Sequence, residues 1–124
     1  MTATVIGVDP GIRGAIALRY PGLQGVQLLG RDLPLMAERG PRKRPVLDVL
    51  AFGEIVRECV TLHDPRLAVL EAATNMPGEG GTSSFRFGRM IGALHAVLVG
   101  FGLVVIEVPP SAWKLRLGLS RDKA

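Results

Sequence analysis

The amino-acid sequence predicts an α/β fold in which helices pack on a mixed five-stranded sheet. Segments at 4–9, 67–71 and 103–108 are short, apolar and rich in β-branched residues, as buried strands are. Segments at 46–62 and 83–99 are predicted helices that lie between those strands. The element order βββαβαβα therefore predicts three antiparallel strands and then two parallel strands joined by right-handed helical crossovers.

The first strand is followed by two further strand candidates, at 14–20 and 25–33. Pro21-Gly22 lies between them and is a turn pair, so the first three strands are expected to form an antiparallel meander. The next segment, 39–45, contains two prolines, one glycine and four cations. We predict that it is an exposed basic loop without regular structure.

The helix at 46–62 is predicted to be amphipathic. Its apolar positions recur at spacings of three and four residues and are Leu47, Leu50, Ala51, Ile55 and Cys59. Asp64-Pro65 is expected to end the helix. The only cysteine, Cys59, has no internal disulfide partner and is interpreted as a small core residue in a reducing compartment.

The second half of the chain alternates strands and helices. A glycine-rich loop at 76–81 leads to Thr82 or Ser83, either of which is a suitable N-cap for the helix at 83–99. Small residues recur on that helix at Gly88, Gly92 and Ala96, a spacing that lets the sheet or a second subunit approach its backbone closely. After the last strand, Pro109-Pro110 begins a short basic helix that carries Trp113 and Lys114.

The overall composition indicates one domain covering residues 1–124, since 48% of the residues are hydrophobic. A net charge of +4 and a pI of about 10.0 favour a polyanionic partner. No signal peptide is evident, and the apolar segment 90–106 is short for a membrane span and contains Gly100 and Gly102. We therefore expect a cytoplasmic protein without a membrane partner.

Two acids end two of the apolar strands, Asp9 at the first and Glu71 at the later one. A carboxylate at a buried strand end costs several kcal/mol unless a positive group compensates it, and a divalent cation such as Mg²⁺ is a common one. The pair therefore indicates a metal site for phosphodiester hydrolysis. In the alternative interpretation, Asp9 caps its own turn and Glu71 pairs with a surface cation.

Four sequence blocks, in this order, resemble the RuvC-like Holliday-junction resolvases, and in particular their phage and prophage branch. The first block is Ile-Gly-Val-Asp-Pro-Gly-Ile-Arg-Gly at 6–14. The others are Val-Leu-Glu at 69–71, the segment from Met to Gly at 76–88, and Val-Pro-Pro-Ser-Ala-Trp-Lys at 108–114. The resemblance covers nearly the whole chain and implies a ribonuclease-H-like fold.

The resemblance also implies the chemistry. Asp9 and Glu71 match the first two catalytic carboxylates as metal ligands for Mg²⁺, for which Mn²⁺ can substitute, and Lys114 matches a lysine near the scissile phosphate. The family cuts branched DNA at four-way junctions in recombination and repair or phage DNA processing. It does so as a homodimer, which the helix bearing Gly88 and Gly92 would hold together.

The resemblance further implies two acids on a C-terminal helix after the fifth strand. The sequence ends at Ala124, before such a helix, and Asp122 lies too early in the pattern to match. We therefore expect a truncated domain that binds metal weakly and cuts poorly or not at all.

Seven basic residues are candidates for DNA contacts, because backbone affinity comes mainly from cations that neutralise phosphates. They are Arg13, Arg42, Lys43, Arg44, Arg86, Arg89 and Lys123. The alternative interpretation is that the loop and helix cations among them are only solvated side chains.

Two other functions remain open at this stage. An actin-like or sugar-kinase-like ATPase fragment would use a similar strand and turn at 9–14 to hold a nucleotide phosphate, and ATP binding would reveal it. A non-catalytic module that binds junctions would keep the fold without the chemistry, which the absent C-terminal acids favour.

Overall fold

The structure is a computed structural model and describes residues 3–72 and 81–109. The elements in these two ranges are β1 (Val5–Asp9), β2 (Ala15–Gly22), β3 (Gly25–Asp32), β4 (Leu35–Ala37), β5 (Pro45–Leu47), α1 (Val49–His63), β6 (Leu67–Glu71), α2 (Gly81–Gly100) and β7 (Val104–Val108). Within these ranges, no helix combines the length and the apolar character needed to cross a membrane.

The main sheet has five strands in the order β3-β2-β1-β6-β7. Strands β1, β2 and β3 pair antiparallel, whereas β6 pairs parallel with both β1 and β7. The predicted mixed sheet is therefore confirmed. The two parallel crossovers bring the C-terminal ends of β1, β6 and β7 to one edge of the sheet.

The hairpin between β2 and β3 turns two residues later than the sequence predicts. Pro21 lies inside β2 and pairs with Val26, and Gly22 pairs with Gly25, so the turn is made by Leu23 and Gln24. Gly25 has a φ of 109°, which favours glycine, and this places the reversal after the proline-glycine pair.

A second, two-stranded sheet was not predicted. Strands β4 and β5 pair antiparallel, with Ala37 opposite Pro45, and the Glu38 N–H donates to the Arg44 carbonyl at 2.8 Å. The prediction of a wholly irregular segment at 39–45 was therefore wrong at its last residue. Pro45 is tolerated because it is the first residue of a short strand, where a proline need not donate to the ladder.

Helix α1 begins three residues later than predicted. The Asp48 side chain caps it by accepting a hydrogen bond from the Ala51 N–H at 3.0 Å. The buried face is centred on Phe52 and Val56, while Leu50 is 77% exposed. Ile55 and Cys59 of the predicted apolar stripe pack against the core at the margin of this face, whereas Leu50 does not.

Helix α2 begins at Gly81, so Thr82 and Ser83 lie in its first turn and neither is the predicted N-cap. The helix buries Ile91, Leu94 and Leu98, which belong to the same hydrophobic cluster as the inward residues of the main sheet and of α1. The small residues Gly88, Gly92 and Ala96 are exposed instead. The sheet is therefore not the element that approaches this stripe.

The turn that follows β1 requires glycine at position 14. Gly14 is buried, its N–H donates to the Gly11 carbonyl at 3.0 Å, and a Cβ built on it would overlap the Asp9 carbonyl oxygen and crowd Leu33. Gly11 itself has a φ of 120°. The conformation of the turn, and with it the end of β1, depends on these two glycines.

We predict that Gly14→Ala destabilises the protein by about 1–3 kcal/mol, because the added methyl group forces the backbone of Asp9 to move. Urea unfolding measures the change. The matched control is Gly7→Ala on β1, where a Cβ meets no atom within 4 Å, and this variant should not lose stability. Equal losses in the two variants would contradict the account of the turn.

Candidate active site

The register of β1 and β6 places Asp9 beside Glu71. The paired residues of this parallel ladder run from Val5 with Leu67 to Val8 with Leu70, and Asp9 and Glu71 are the next residues on the two strands. Neighbouring strands lie about 4.8 Å apart. The two acids predicted from the sequence are therefore brought together at one sheet edge.

Both acids lie on the same face of the sheet. Along each strand the side chains alternate, and Val8 and Leu70 are buried in the core that faces the helices. Asp9 and Glu71 therefore point to the opposite face, where Asp9 is exposed and Glu71 is half-buried. Their carboxylates are accessible to a ligand from that side.

The backbone after Asp9 is attached to helix α2. The Gly11 N–H donates to Met90 Sδ at 3.1 Å, which links the turn after β1 to the middle of the helix. The same turn is closed by the Gly14 hydrogen bond described above. The position of Asp9 is thus determined by its strand and by a contact with the helix that follows Glu71 in the chain.

A third acid, Asp32 on β3, lies in register with Asp9 across the sheet, but it is further from Asp9 than Glu71 is. Asp9 pairs with Ala15, which in turn pairs with Asp32. Two strand spacings separate the acids, roughly 10 Å, which is too far for both to bind one ion directly. Within residues 3–72 and 81–109, no group of three or more His, Cys, Asp or Glu side chains has the geometry of a metal site.

The donor set of Asp9 and Glu71 nevertheless fits Mg²⁺. This ion prefers oxygen ligands, retains several waters, and is commonly bound in enzymes by one or two carboxylates together with substrate phosphates. Two adjacent carboxylates on an accessible face meet that requirement. The pair alone would leave most coordination positions to water and substrate, so the chemistry of the site depends on what else binds there.

Arg86, predicted to contact DNA, is engaged within the protein. Its Nη1 donates to Glu38 Oε2 at 2.8 Å, and its Nη2 donates to the Pro45 carbonyl at 3.4 Å. The Arg86 and Glu38 side chains are 29% and 37% exposed. These contacts attach the hairpin of β4 and β5 to the first half of α2.

Glu38, the partner of Arg86, was not a candidate in the sequence analysis. The hydrogen bond from Arg86 holds the pKa of the Glu38 carboxyl below its usual value, against the opposing effect of burial, and the charges of Arg86, Arg89 and Arg44 act in the same direction as the hydrogen bond. A lone acid directly before a basic segment was the available signal. Its partner, 48 residues away, could not be identified from the sequence.

The remaining basic candidates are divided between exposed and undescribed positions. Arg13, Arg42, Lys43, Arg44 and Arg89 are all exposed, and Lys43 adopts a left-handed φ of 44° in the hairpin loop. Lys114 and Lys123 lie outside the described residues. Their predicted contacts with phosphate stay predictions.

Comparison with known proteins shows the fold. Neither a protein-family profile nor a curated protein sequence matches the chain. Among solved structures, Thermus thermophilus RuvC in complex with a Holliday junction substrate matches with a TM-score of 0.65 at 20% identity, over 94% of this chain and 70% of that one. A second Thermus thermophilus RuvC structure matches with a TM-score of 0.66 at 20% identity, over 96% and 74%.

The yeast mitochondrial Holliday junction resolvase matches more distantly, with a TM-score of 0.51 at 14% identity, over 99% of this chain and 57% of that one. Together with the strand order, these matches confirm the predicted ribonuclease-H-like fold. At this level of identity, the likeness extends to the fold and not to individual side chains.

We predict that Arg86→Gln raises the pKa of the Glu38 carboxyl, because the hydrogen bond from Arg86 is the main cause of its depression. A depressed carboxyl pKa stabilises the fold at pH values above the ordinary pKa, and this contribution is lost as the pH falls through the folded pKa. NMR titration of the Glu38 carboxyl carbon measures the change. Arg89→Gln is the control and should raise the pKa less; an equal rise would contradict the assignment to Arg86.

Proposed function

We propose that this protein is a metal-dependent endonuclease that hydrolyses phosphodiester bonds in branched DNA, in the manner of a crossover junction endodeoxyribonuclease. The observation that carries the proposal is the placement of Asp9 and Glu71 at adjacent ends of parallel strands on one accessible sheet face. The ribonuclease-H-like fold supports it, since its structural neighbours are Holliday junction resolvases.

In this proposal Asp9 and Glu71 are the metal ligands and hold Mg²⁺, with Mn²⁺ as a substitute. When bound, such an ion lowers the pKa of a coordinated water and stabilises charge on phosphate oxygens. The two carboxylates orient the ion against the DNA strand, and the turn at 10–14 fixes the direction of Asp9. Lys114 is proposed to contact the scissile phosphate as a point charge.

Branched DNA is the proposed substrate, and a four-way junction is its simplest form. Basic residues lie at the same end of the molecule as the two acids, since α2 follows the end of β6 and contacts the turn after β1. We propose backbone contacts for the exposed residues Arg13, Arg42, Lys43, Arg44 and Arg89, and for Lys123. Arg86 is not among these proposed contacts, because it is ion-paired with Glu38.

A homodimer is proposed as the active assembly, because a two-fold junction needs two symmetric cuts. An exposed stripe on α2 supports it: Phe85 and Val99 are 70% and 51% exposed, and a Cβ at Gly88 or Gly92 meets no atom within 4 Å. We further propose a single domain that acts in the cytoplasm. The phage or prophage branch of the resolvases stays a prediction.

A second candidate is a module that binds junctions without cutting them. Within the described residues, the site offers Asp9 and Glu71 and no third adjacent ligand, which favours this alternative. Both candidates predict that the protein binds a four-way junction, so a cleavage assay is needed to distinguish the nuclease from the binding module.

We predict that Asp9→Asn removes paired symmetric nicks in a four-way junction with Mg²⁺, lowering the rate on the order of 100-fold or more, because a metal ligand is lost. Single-turnover cleavage of a labelled junction measures the rate in a version extended past Ala124, and the chain ending at Ala124 is assayed in parallel. Asp32→Asn is the matched control on the same row of the sheet and should cut normally. A chelator should stop cutting by the unaltered protein.

Three outcomes decide between the candidates. Cutting that depends on Asp9 and on Mg²⁺ supports the nuclease. Junction binding without cutting by either version supports the binding module. Equal cutting by Asp9→Asn and the unaltered protein would remove the metal-ligand role.

We predict that Gly92→Lys shifts the protein towards the monomer, because it places a long charged side chain in the exposed stripe of α2. Sedimentation equilibrium measures the dissociation constant. The control is Gly53→Lys on α1, where a Cβ also has no neighbour within 4 Å and which lies outside the stripe. A monomeric unaltered protein at all concentrations would contradict the dimer.

A further inference from the structure

We propose that Glu38 is a positioning residue that keeps Arg86 away from DNA and so limits the affinity of the protein for any DNA backbone. The inference rests on the proposed function, because it assumes that DNA approaches this end of the molecule. In this inference Arg86 does not contact phosphate. It is a structural arginine whose charge is neutralised by Glu38.

The contacts of Arg86 carry the inference. Its two terminal nitrogens donate to different acceptors, Glu38 Oε2 at 2.8 Å and the Pro45 carbonyl at 3.4 Å. A charge-assisted hydrogen bond of this length is among the stronger polar contacts in proteins. A phosphate that recruited Arg86 would have to break both contacts between the hairpin and α2.

The charges around the Arg86–Glu38 pair determine how it affects DNA binding. Arg44 and Arg89 are close enough to Glu38 to act on its carboxylate, so three arginines and one acid share the region, a net charge of +2. The carboxylate cancels one of three positive charges that a DNA backbone would otherwise meet. Because non-specific affinity rises with the number of phosphates neutralised, Glu38 lowers it.

The cluster formed by Glu38, Arg44, Arg86 and Arg89 lies at the end of the molecule that holds the two acids. Arg86 and Met90 are one helical turn apart on α2, and Met90 contacts Gly11, two residues after Asp9. The cluster therefore lies at the end of the sheet at which DNA would reach Asp9. The hairpin of β4 and β5 adds the exposed Arg42 and Lys43 to the same side.

The test is the salt dependence of DNA binding, which counts phosphate contacts. Fluorescence anisotropy with a labelled linear duplex, from about 50 to 200 mM salt and without divalent metal, gives the slope of log affinity against log salt. A labelled four-way junction is measured in parallel. Thermal unfolding of each variant verifies that it folds.

We predict that Glu38→Gln binds the linear duplex more tightly and steepens the slope by about 0.9, because it releases Arg86 for one more phosphate contact. The double variant Glu38→Gln with Arg86→Gln should restore the slope of the unaltered protein. Arg89→Gln should reduce the slope by about 0.9. A purely structural role of the pair would not produce an increase that the second substitution reverses.

Asp64→Asn is the matched control for the loss of an acid. Asp64 also pairs with an arginine, Arg66 at 3.4 Å, but it precedes β6 and so lies at the end of that strand away from Glu71. This variant has the same change in net charge and should leave the slope unaltered. An equal effect of Asp64→Asn and Glu38→Gln would reduce the result to net charge and overturn the inference.

The remaining outcomes separate the inference from the proposed function. An unchanged slope in Glu38→Gln together with a loss of about 0.9 in the double variant would mean that Arg86 already contacts phosphate, and would overturn the inference alone. Failure of the unaltered protein to bind either DNA would overturn both proposals. Junction binding without cleavage leaves the inference intact and contradicts only the nuclease.

Discussion

The parallel pairing of β1 with β6 is the constraint on which the rest of the structure depends. It aligns two strands that are distant in the chain so that Val8 faces Leu70 in the core and the next residues, Asp9 and Glu71, share the opposite face. A shift by one residue would turn one acid into the apolar core, where an unpaired carboxylate is costly, so the register is strongly specified. The chemistry of the site follows from this register, because two carboxylates about one strand spacing apart can share a cation.

Helix α2 joins the three parts that surround this pair. Its inner face packs on the core through Leu94 and Leu98, its Met90 accepts a hydrogen bond from the turn after Asp9, and its Arg86 binds the hairpin of β4 and β5 through Glu38. The same helix therefore positions an acidic site and a basic surface relative to each other. Its outer stripe of small and apolar residues is left exposed, which gives one element both an internal role and a surface for a partner.

Patterns that depend on neighbouring residues were predicted well. The short β-branched runs of β1 and β6 are central strands as predicted, because both faces of a central strand are apolar. The run at β7 was also predicted to be buried, but it is an edge strand in which Val104 and Ile106 are 64% and 46% exposed. Asp64-Pro65 ended α1 because the chain adopts a left-handed conformation at Asp64. Predictions failed where several local signals compete. Pro21-Gly22 was a plausible turn, but Gly25 determined the reversal, and Leu50 matched the helical stripe of α1 although Phe52 and Val56 form its buried face.

The sequence by itself determined the fold class, the five strands of the main sheet, and the two acids at strand ends, because periodicity and strand termini are local properties of the chain. The tertiary structure alone decided that Asp32 lies on the same row as Asp9 but too far away to join it, and that Arg86 is paired with Glu38. The physical reason is distance along the chain. Pairing between residues 48 positions apart depends on how a hairpin and a helix pack, and no local pattern encodes that packing.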